Sequence, residues 1–129
     1  MSRKPEKTPT DTELAILRVL WELGPSTVRQ VYERMSREGS VGYTTVLKML
    51  QIMTAKSLVD RDETSRAHVY EARESRDRTQ GRLVSHLLER AFDGSASKLV
   101  LRAFDAQPAS PAEIAEIRRM LDEMEGEAS

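Results

Sequence analysis

The sequence predicts a mainly α-helical protein with one small β-hairpin. Apolar residues recur every three or four positions through most of the chain, which is the spacing of amphipathic helices. Between Ser57 and Ala72, two short apolar segments flank one charged run, as is typical of a hairpin. Three predicted helices precede this hairpin and three follow it. A winged helix-turn-helix with a C-terminal helical segment has this order of elements.

The first predicted helix begins at a capping box and ends at Gly24-Pro25. Thr10 and Glu13 have the spacing at which each side chain accepts a hydrogen bond from the other's backbone N–H. The apolar residues that follow at helical spacing are Leu14, Leu17, Leu20 and Trp21. We expect Trp21 in the core, because its ring can bury more apolar area than any neighbour on this stripe.

Ser26 is the expected N-cap of a second helix, which ends near Gly39. The inward-facing residues of this helix are Val28, Val31, Tyr32 and Met35. Residues 39–42 then form a short turn into a third helix over residues 42–56. Two helices joined by a short turn predict a helix-turn-helix.

The third helix combines an apolar stripe with an opposite face that has no carboxylate. The stripe contains Val46, Met49, Leu50 and Met53, and the opposite face contains Thr44, Thr45, Lys48, Gln51 and Ala55. Because charged residues make up 32% of the chain, an acid-free face is unusual, and it suits a polyanion such as DNA. The alternative is an ordinary amphipathic helix whose solvent face lacks acids by chance.

The predicted hairpin forms a wing directly after the third helix. Its two strands lie within residues 57–59 and 67–72, and residues 60–66 form the charged turn. Arg66 and His68 would lie at the wing, where a cation can reach a phosphate or the adjacent minor groove. The alternative for Arg66 is a solvated turn charge that pairs with Asp62 or Glu63.

The chain divides at a charged stretch, residues 74–82, that has almost no apolar side chains. We therefore expect a flexible N-terminal arm (residues 1–9), a winged-helix DNA-binding domain (10–75) and a helical dimerisation segment (76–129). Arg3, Lys4 and Lys7 give the arm basic side chains that could touch DNA.

The C-terminal segment predicts three short helices, and the last has the apolar spacing of a paired helix. Three short helices are too few to close a core alone, so we expect two copies to interdigitate. The expected dimerisation residues are Leu83, Leu87, Phe92, Leu99, Phe104, Ile114, Ile117, Leu121 and Met124. The alternative is that these helices fold back on the winged helix of the same chain.

Composition narrows the function classes. The formal net charge is −1, but residues 1–80 hold 14 Lys and Arg against 12 Asp and Glu, so the N-terminal part is the expected partner of an acidic ligand. The chain has no cysteine and two histidines, and we expect no metal site and no cofactor. No apolar run approaches the ~18 residues that span a bilayer, so we expect a cytoplasmic protein with no membrane partner. Motifs such as G-x-S-x-G, H-E-x-x-H and the P-loop are missing, so we expect no enzymatic activity.

Four blocks of the sequence resemble the BlaI/MecI/CopY family of penicillinase repressors. The blocks are Glu13–Trp21, Gly24–Val31, Tyr43–Leu47 and Arg66–Tyr70, in the family's order and with fitting lengths between them. The resemblance implies an N-terminal winged helix that binds an inverted-repeat DNA operator and represses a nearby gene. It also implies that the C-terminal helices make a homodimer.

The same resemblance points to particular residues for DNA binding. The positions that match the family's DNA contacts are Thr44, Thr45 and Lys48, with Arg66 in the wing. Ile52 stands where the family usually has an arginine, so another polar side chain of this helix would have to substitute. The full set of candidate DNA-binding residues is Tyr43, Thr44, Thr45, Lys48, Gln51, Lys56 and Arg66.

Two further positions depart from the family. Ser57 replaces the glycine that usually follows the third helix, and a left-handed backbone there would be strained. Arg102-Ala103 replaces the Asn-Phe pair that is cleaved in the β-lactam-responsive members. A sensor protease is therefore an expected partner only if this altered pair can be cleaved. The copper-responsive members use cysteine thiolates, which this chain lacks.

Two functions are compatible with these observations. The first is a dimeric, sequence-specific transcriptional repressor that binds a palindromic operator in double-stranded DNA. The alternative is a winged-helix protein-interaction module that does not bind DNA, which would fit the near-neutral charge and the apolar Ile52 on the polar face.

Overall fold

The computed structural model describes residues 8–39 and 41–128. Most of the predicted N-terminal arm, including Arg3, Lys4 and Lys7, lies outside these residues. The elements in chain order are α1 (Asp11–Leu23), β1 (Ser26–Thr27), α2 (Val28–Ser36), α3 (Tyr43–Ala55), β2 (Val59–Asp62), β3 (Val69–Ala72), α4 (Arg76–Ala91), α5 (Ala96–Ala106) and α6 (Pro111–Ala128). The mainly helical class with a small wing is confirmed.

The described chain falls into two compact units that divide between Leu83 and Val84, within α4. The boundary predicted from the charged stretch lies eight residues earlier, at 75/76. Among the described residues, no helix is both long and apolar enough to cross a membrane.

The first helix begins and ends as its sequence predicts. The Thr10 hydroxyl accepts from the Glu13 N–H, and the Glu13 carboxylate accepts from the Thr10 N–H, which completes the capping box. At the other end, Gly24 has φ +83° and donates its N–H to the Leu20 carbonyl. A glycine fits this position because it has no Cβ to oppose a left-handed backbone.

The second helix begins one residue later than predicted. Ser26 is not its N-cap but lies in β1, where it pairs with Tyr70, and its hydroxyl donates to the Gly24 carbonyl. Thr27 is the N-cap and forms a second capping box with Gln30. The Thr-x-x-Gln spacing permits the reciprocal bonds that a Ser26 cap would not have made. The helix ends at Ser36 and not near Gly39.

A three-stranded antiparallel sheet closes one side of the first unit, with the strand order β1-β3-β2. Both strands of the predicted hairpin are present, but β2 extends to Asp62 and so takes in part of the run predicted as a turn. In β2, Val59 is buried and the three charged residues that follow are exposed. Their charges stay in water while the backbone pairs with β3, which is why the strand can be polar.

One apolar core joins α1, α2, α3 and the sheet. Its fully enclosed side chains include Ile16, Val31, Val46, Leu50, Met53, Val59 and Tyr70. The prediction that Trp21 lies in this core is correct only in part, because the ring packs against the core but is not fully buried. Its indole N–H donates to the Glu74 carbonyl over 2.9 Å, and that polar bond keeps the ring at the edge of the core.

The second unit, residues 84–129, contains the rest of α4 together with α5 and α6. Ser95 is the N-cap of α5, and Ser110 accepts from the N–H of Glu113 in the first turn of α6. Within the part of this unit that the structure describes, no residue is buried. The described part of this unit therefore has no closed core of its own.

Candidate nucleic-acid interface

The third helix presents the two faces that its sequence predicts. Val46, Leu50 and Met53 are buried, and Met49 is half-buried. The polar side chains on the opposite face, Thr44, Thr45, Lys48 and Gln51, are all exposed. The helix has no Asp or Glu at any position. A continuous solvent face with hydroxyl, amide and ammonium groups is therefore available to an anionic ligand.

The first turn of α3 also lacks negative charge. Gly42 is the N-cap and provides no side-chain hydrogen bond to the helix N-terminus. By contrast, α1 has Asp11 and Glu13 in its first turn. The positive end of the α3 dipole is therefore not offset by a carboxylate of its own helix, which favours an approaching anion.

Tyr43, the first residue of α3, is held between two residues of α2. Its ring meets that of Tyr32 edge to face, with centroids 5.7 Å apart and an interplanar angle of 72°. The guanidinium carbon of Arg29 lies 5.4 Å from the Tyr43 ring centroid. Both are favourable geometries for aromatic and cation–π contacts. Tyr43 is 40% exposed, so the stack lies at the surface.

The wing loop connects β2 to β3 through residues 63–68. The two acids at the start of this loop have partners within the wing. Asp62, the last residue of β2, accepts from the N–H and hydroxyl of Thr64, and Glu63 pairs with Arg61 over 2.6 Å. The hydrogen bonds from Thr64 lower the pKa of the Asp62 carboxyl. Arg66 is exposed and has no ion-pair partner among the described residues, so the alternative pairing with Asp62 or Glu63 is not observed.

A groove runs between the N-terminal half of α3 and the wing. The residues that line it are Thr27, Val28, Arg29, Tyr43, Leu47, Arg66, Ala67, His68 and Tyr70. Arg29 of α2 meets Arg66 and His68 of the wing there, and among the described residues no carboxylate lines the groove. The exposed face of α3 and the wing thus border one surface with a basic character.

Lys56, a candidate DNA contact, forms an ion pair inside the first unit. Its ammonium lies 2.7 Å from Oε2 of Glu13, whose side chain is only 2% exposed, whereas that of Lys56 is 33% exposed. Burial raises the pKa of the Glu13 carboxyl, but the hydrogen bonds from Lys56 and Thr10 and the charge of Lys56 together leave it below 4.5. The pair ties the end of α3 to the start of α1.

Two departures from the family pattern have visible consequences. Ile52 is 39% exposed beside the polar face and lies outside the core, as its helical phase predicts. Ser57 has φ +67°, the left-handed backbone that its position after α3 suggested.

The predicted dimerisation residues lie in α4, α5 and α6 or in the turn after α4. Leu87, Ile114, Leu121 and Met124 are exposed. Leu83, Phe92, Leu99, Phe104 and Ile117 are half-buried. The described residues contain no group of three or more His, Cys, Asp or Glu side chains that could hold a metal ion.

Sequence reasoning missed Arg29 as a feature of this surface. Arg29 is exposed on α2, and its partner Tyr43 lies 14 positions later across a turn. No local spacing rule connects two residues at that separation, so only the folded arrangement of α2 and α3 shows the contact.

A family model described as penicillinase repressor matches residues 9–123. The chain belongs to this family. The resemblance seen in four blocks of sequence is confirmed, and the family is a class of transcriptional regulators and not of enzymes.

Named transcriptional regulators are similar to this chain over most of its length. Two are the transcriptional regulator BlaI of Mycobacterium tuberculosis, strains CDC 1551 and H37Rv. Each is 34% identical over 116 residues, which cover 89% of this chain and 83% of the relative.

The fold has a counterpart among solved structures in a MarR family protein from Bacillus stearothermophilus. The TM-score is 0.52 at 18% identity, and the match covers 95% of this chain and 76% of that protein. Identity this low supports the winged-helix fold alone.

Proposed function

We propose that this protein is a cytoplasmic, dimeric, sequence-specific repressor that binds an inverted-repeat DNA operator through α3 and the wing of each copy. The observation that carries the proposal is the exposed face of α3, which presents Thr44, Thr45, Lys48 and Gln51 without a single carboxylate. The membership of the penicillinase repressor family and the relatives named as transcriptional regulators support the same function.

In this proposal α3 enters the major groove as the recognition helix. Threonine, glutamine and lysine side chains can bond base edges there, and the short hydroxyl side chains allow close approach. The wing lies beside the helix, so Arg66 can bind a phosphate or enter the adjacent minor groove. Its freedom from any ion pair among the described residues leaves the guanidinium available.

Lys56 has a smaller part in the proposed interface. Its ammonium is already bonded to the buried Glu13 carboxylate. A phosphate that competed for it would leave that carboxylate without its charged partner, and such a loss is costly. We therefore assign the phosphate contacts of the helix first to Lys48, which has no ion-pair partner within residues 8–39 and 41–128.

The second unit supports the dimeric form of the proposal. Its exposed apolar side chains on α6, including Ile114, Leu121 and Met124, follow the seam predicted from the sequence. A second copy would cover these side chains. The two copies would then share a core, whereas in one copy no described residue of this unit is buried. Two linked winged helices then bind two half-sites with a high effective concentration for the second.

We do not extend the proposal to relief of repression by a sensor protease. The pair at the family's cleavage position is Arg102-Ala103, and it lies inside α5. Arg102 is also bonded to Asp105 over 2.8 Å. Proteases prefer exposed loops to hydrogen-bonded helices, so nothing in this segment favours cleavage.

The test is the effect of Lys48→Ala on DNA binding, measured by fluorescence anisotropy over a range of salt concentrations. Two duplexes of about 30 base pairs are used, because this length holds two half-sites. The first has a random sequence, and the second is selected from a random pool for binding to the protein. If Lys48 contacts a phosphate, Lys48→Ala should weaken binding to both duplexes equally and lower the salt slope by about one unit per copy, or about two units for the dimer. If Lys48 instead contacts a base, Lys48→Ala should lose roughly 1–3 kcal/mol of binding free energy per contact, and only on the selected duplex.

Lys98→Ala is the matched control, because it removes the same charge from α5 in the second unit. It should leave binding almost unchanged. If the wild-type protein binds neither duplex with a steep salt dependence, it is not a DNA-binding repressor, and a protein-interaction module becomes the better assignment. If Lys48→Ala is folded and binds as the wild type does, α3 does not contact DNA in the orientation proposed.

A further inference from the structure

We propose that Arg29 of α2 contacts a DNA phosphate beside the recognition helix, and that Tyr43 is the positioning residue that holds its guanidinium there. The inference rests on the proposed function, since it requires that α3 faces DNA. It adds an arginine on a different helix to the interface, and it gives Tyr43 a role as a platform and not as a direct contact.

The geometry for this role is a three-membered stack. Tyr32, half-buried on α2, meets the Tyr43 ring edge to face, with centroids 5.7 Å apart. The Arg29 guanidinium carbon lies 5.4 Å from the Tyr43 ring centroid. A ring supported on one side by another ring offers a fixed surface for the cation. Stacking of this kind orders an arginine side chain that would otherwise lose more freedom on binding.

The other ionic contact of Arg29 is too weak to compete with a phosphate. Glu33 lies one turn further along α2, and its carboxylate oxygen is 3.9 Å from the guanidinium. Both side chains are more than half exposed, and exposed pairs of this kind contribute little. An arginine stacked on a ring keeps the N–H groups along its edge for hydrogen bonds. Phosphate oxygens match that planar set of donors.

The surroundings of Arg29 point to an anion. Arg29, Arg66 and His68 line the groove between α3 and the wing, and no acid lines it. A second groove, between α1 and α2, provides the contrast. There Glu22 and Glu38 both pair with Arg34, so its positive charge is neutralised within the protein. Arg18 and Arg76 also line that groove, but so do Glu22 and Glu38, whereas no described residue with a carboxylate lines the groove at Arg29.

A phosphate is favoured over a base as the partner of Arg29. The residue projects from α2, and in a helix-turn-helix this first helix crosses the DNA backbone while the second enters the groove. Contacts to phosphate set the register of the protein on the duplex and carry no sequence information. Arg29 should therefore contribute equally to binding on every sequence.

The experiment measures the affinity of the full-length protein for a random-sequence duplex as a function of salt. Arg29→Ala removes one phosphate contact from each copy of the dimer, so it should lower the salt slope by about 1.8 and weaken binding about sixtyfold at 0.1 M salt. Arg29→Lys keeps the charge and should retain the slope, but it should bind less tightly than the wild type because an ammonium lacks the planar stack. Arg37→Ala is the matched control, since it removes the same charge at the opposite end of α2 and should change neither quantity.

Variants of Tyr43 test the positioning role separately. Tyr43→Phe keeps the ring, so it should bind as the wild type does. Tyr43→Leu removes the ring and should weaken binding about two- to fivefold per copy, because the guanidinium must then be ordered on binding. In the Arg29→Ala background Tyr43→Leu should cause no further loss. Thermal melting of each variant shows whether the variant is folded, so that a change in binding can be separated from unfolding.

Each result has a defined meaning. An unchanged salt slope in Arg29→Ala removes Arg29 from the interface, even when Lys48→Ala shows that α3 binds DNA. A loss of binding in Tyr43→Phe would mean that the hydroxyl itself contacts DNA and would overturn the positioning role. If the wild-type protein shows no salt-dependent binding to any duplex, the proposed function fails and this inference fails with it.

Discussion

Ser57 follows the recognition helix with a backbone that serine rarely adopts. Its φ of +67° lies in the left-handed region. Its N–H donates to the Thr54 carbonyl, and the N–H of Leu58 donates to the Met53 carbonyl. These two bonds form a Schellman motif, in which glycine is the usual residue at this position. The turn thus directs the chain from α3 into β2, at a conformational cost that glycine would not have.

Ser57→Gly should therefore stabilise the protein by about 1 kcal/mol, although the gain is reduced by the greater freedom of glycine in the unfolded chain. Urea unfolding at neutral pH measures the change. Ser57→Ala is the control, because it removes the hydroxyl but keeps the Cβ that opposes a positive φ. Equal stability of the two variants would show that the backbone conformation is not the source of the effect.

Glu13 has two structural roles, and only one of them is visible in the sequence. The capping box with Thr10 depends on a spacing of three residues, so it could be predicted. The ion pair with Lys56 joins residues 43 positions apart. From the sequence alone, Lys56 at the end of the third helix is as compatible with a DNA contact as with an ion pair to Glu13. Local patterns thus predict the cap, while the pair requires knowledge of how α1 packs against α3.

The ion pair predicts a loss of stability in acid. The Glu13 pKa is lower in the folded protein than its ordinary value of 4.5, so the stabilisation is complete above pH 4.5 and is lost as the pH falls through the folded pKa. Glu13→Gln should destabilise the protein by about 1–3 kcal/mol at neutral pH, since Lys56 loses a charged partner. Urea unfolding at about pH 7 and about pH 3 measures both states. The difference between variant and wild type should be smaller at the lower pH, and a difference that grew in acid would contradict this assignment.

At the scale of elements, helices were easier to predict than strands. The three core positions of α3 that are buried, Val46, Leu50 and Met53, share one stripe that helical spacing reveals directly. β1 has two residues and no periodicity, so nothing local distinguishes it from a helix cap. It is a strand only because β3 is there to pair with it. The charged residues of β2 resemble a turn in the sequence, because the exposed part of a strand needs no apolar pattern.

Ile52 tests the assignment of faces on α3. It is 39% exposed and lies one turn after Lys48, beside the proposed DNA-binding face. Ile52→Arg should tighten binding to a random-sequence duplex, about sixtyfold at 0.1 M salt, and raise the salt slope by about 1.8 for one added phosphate contact in each copy of the dimer. The melting temperature should change little, because the side chain is outside the core. Ile52→Ala, which removes the apolar group without adding charge, is the control and should leave the salt slope unchanged. A large fall in melting temperature for both variants would mean that Ile52 contributes to packing.

At the scale of the whole molecule, the two units differ in what they bury. All described buried residues lie in the first unit, whose core joins three helices and the sheet. The second unit has apolar side chains at helical spacing but no buried residue among those described. The seam of α6 was predictable because its spacing lies within one helix. The boundary between the two units was harder to predict, because α4 continues through it as a single helix.

The whole-molecule prediction is that α6 makes the dimer and that the dimer is required for operator binding. Leu121 lies on the seam and is 54% exposed in the single chain. Leu121→Asp places a carboxylate where a partner would desolvate it, at a cost of several kcal/mol, so the variant should be monomeric at micromolar concentration. Ala115→Asp adds the same charge on the opposite side of α6 and is the control. Sedimentation velocity measures the assembly state, and anisotropy with a selected palindromic duplex measures binding.

The two measurements together separate assembly from DNA contact. Because a single winged helix makes few base contacts, monomeric Leu121→Asp should lose most of its affinity for the palindrome but keep a weak, salt-dependent affinity for a half-site. The first unit should melt as in the wild type, since its core does not include α6. A variant that stays dimeric would move the interface away from this seam. A monomer that binds the palindrome as tightly as the wild type would show that one copy is enough, and the second unit would then need a different role.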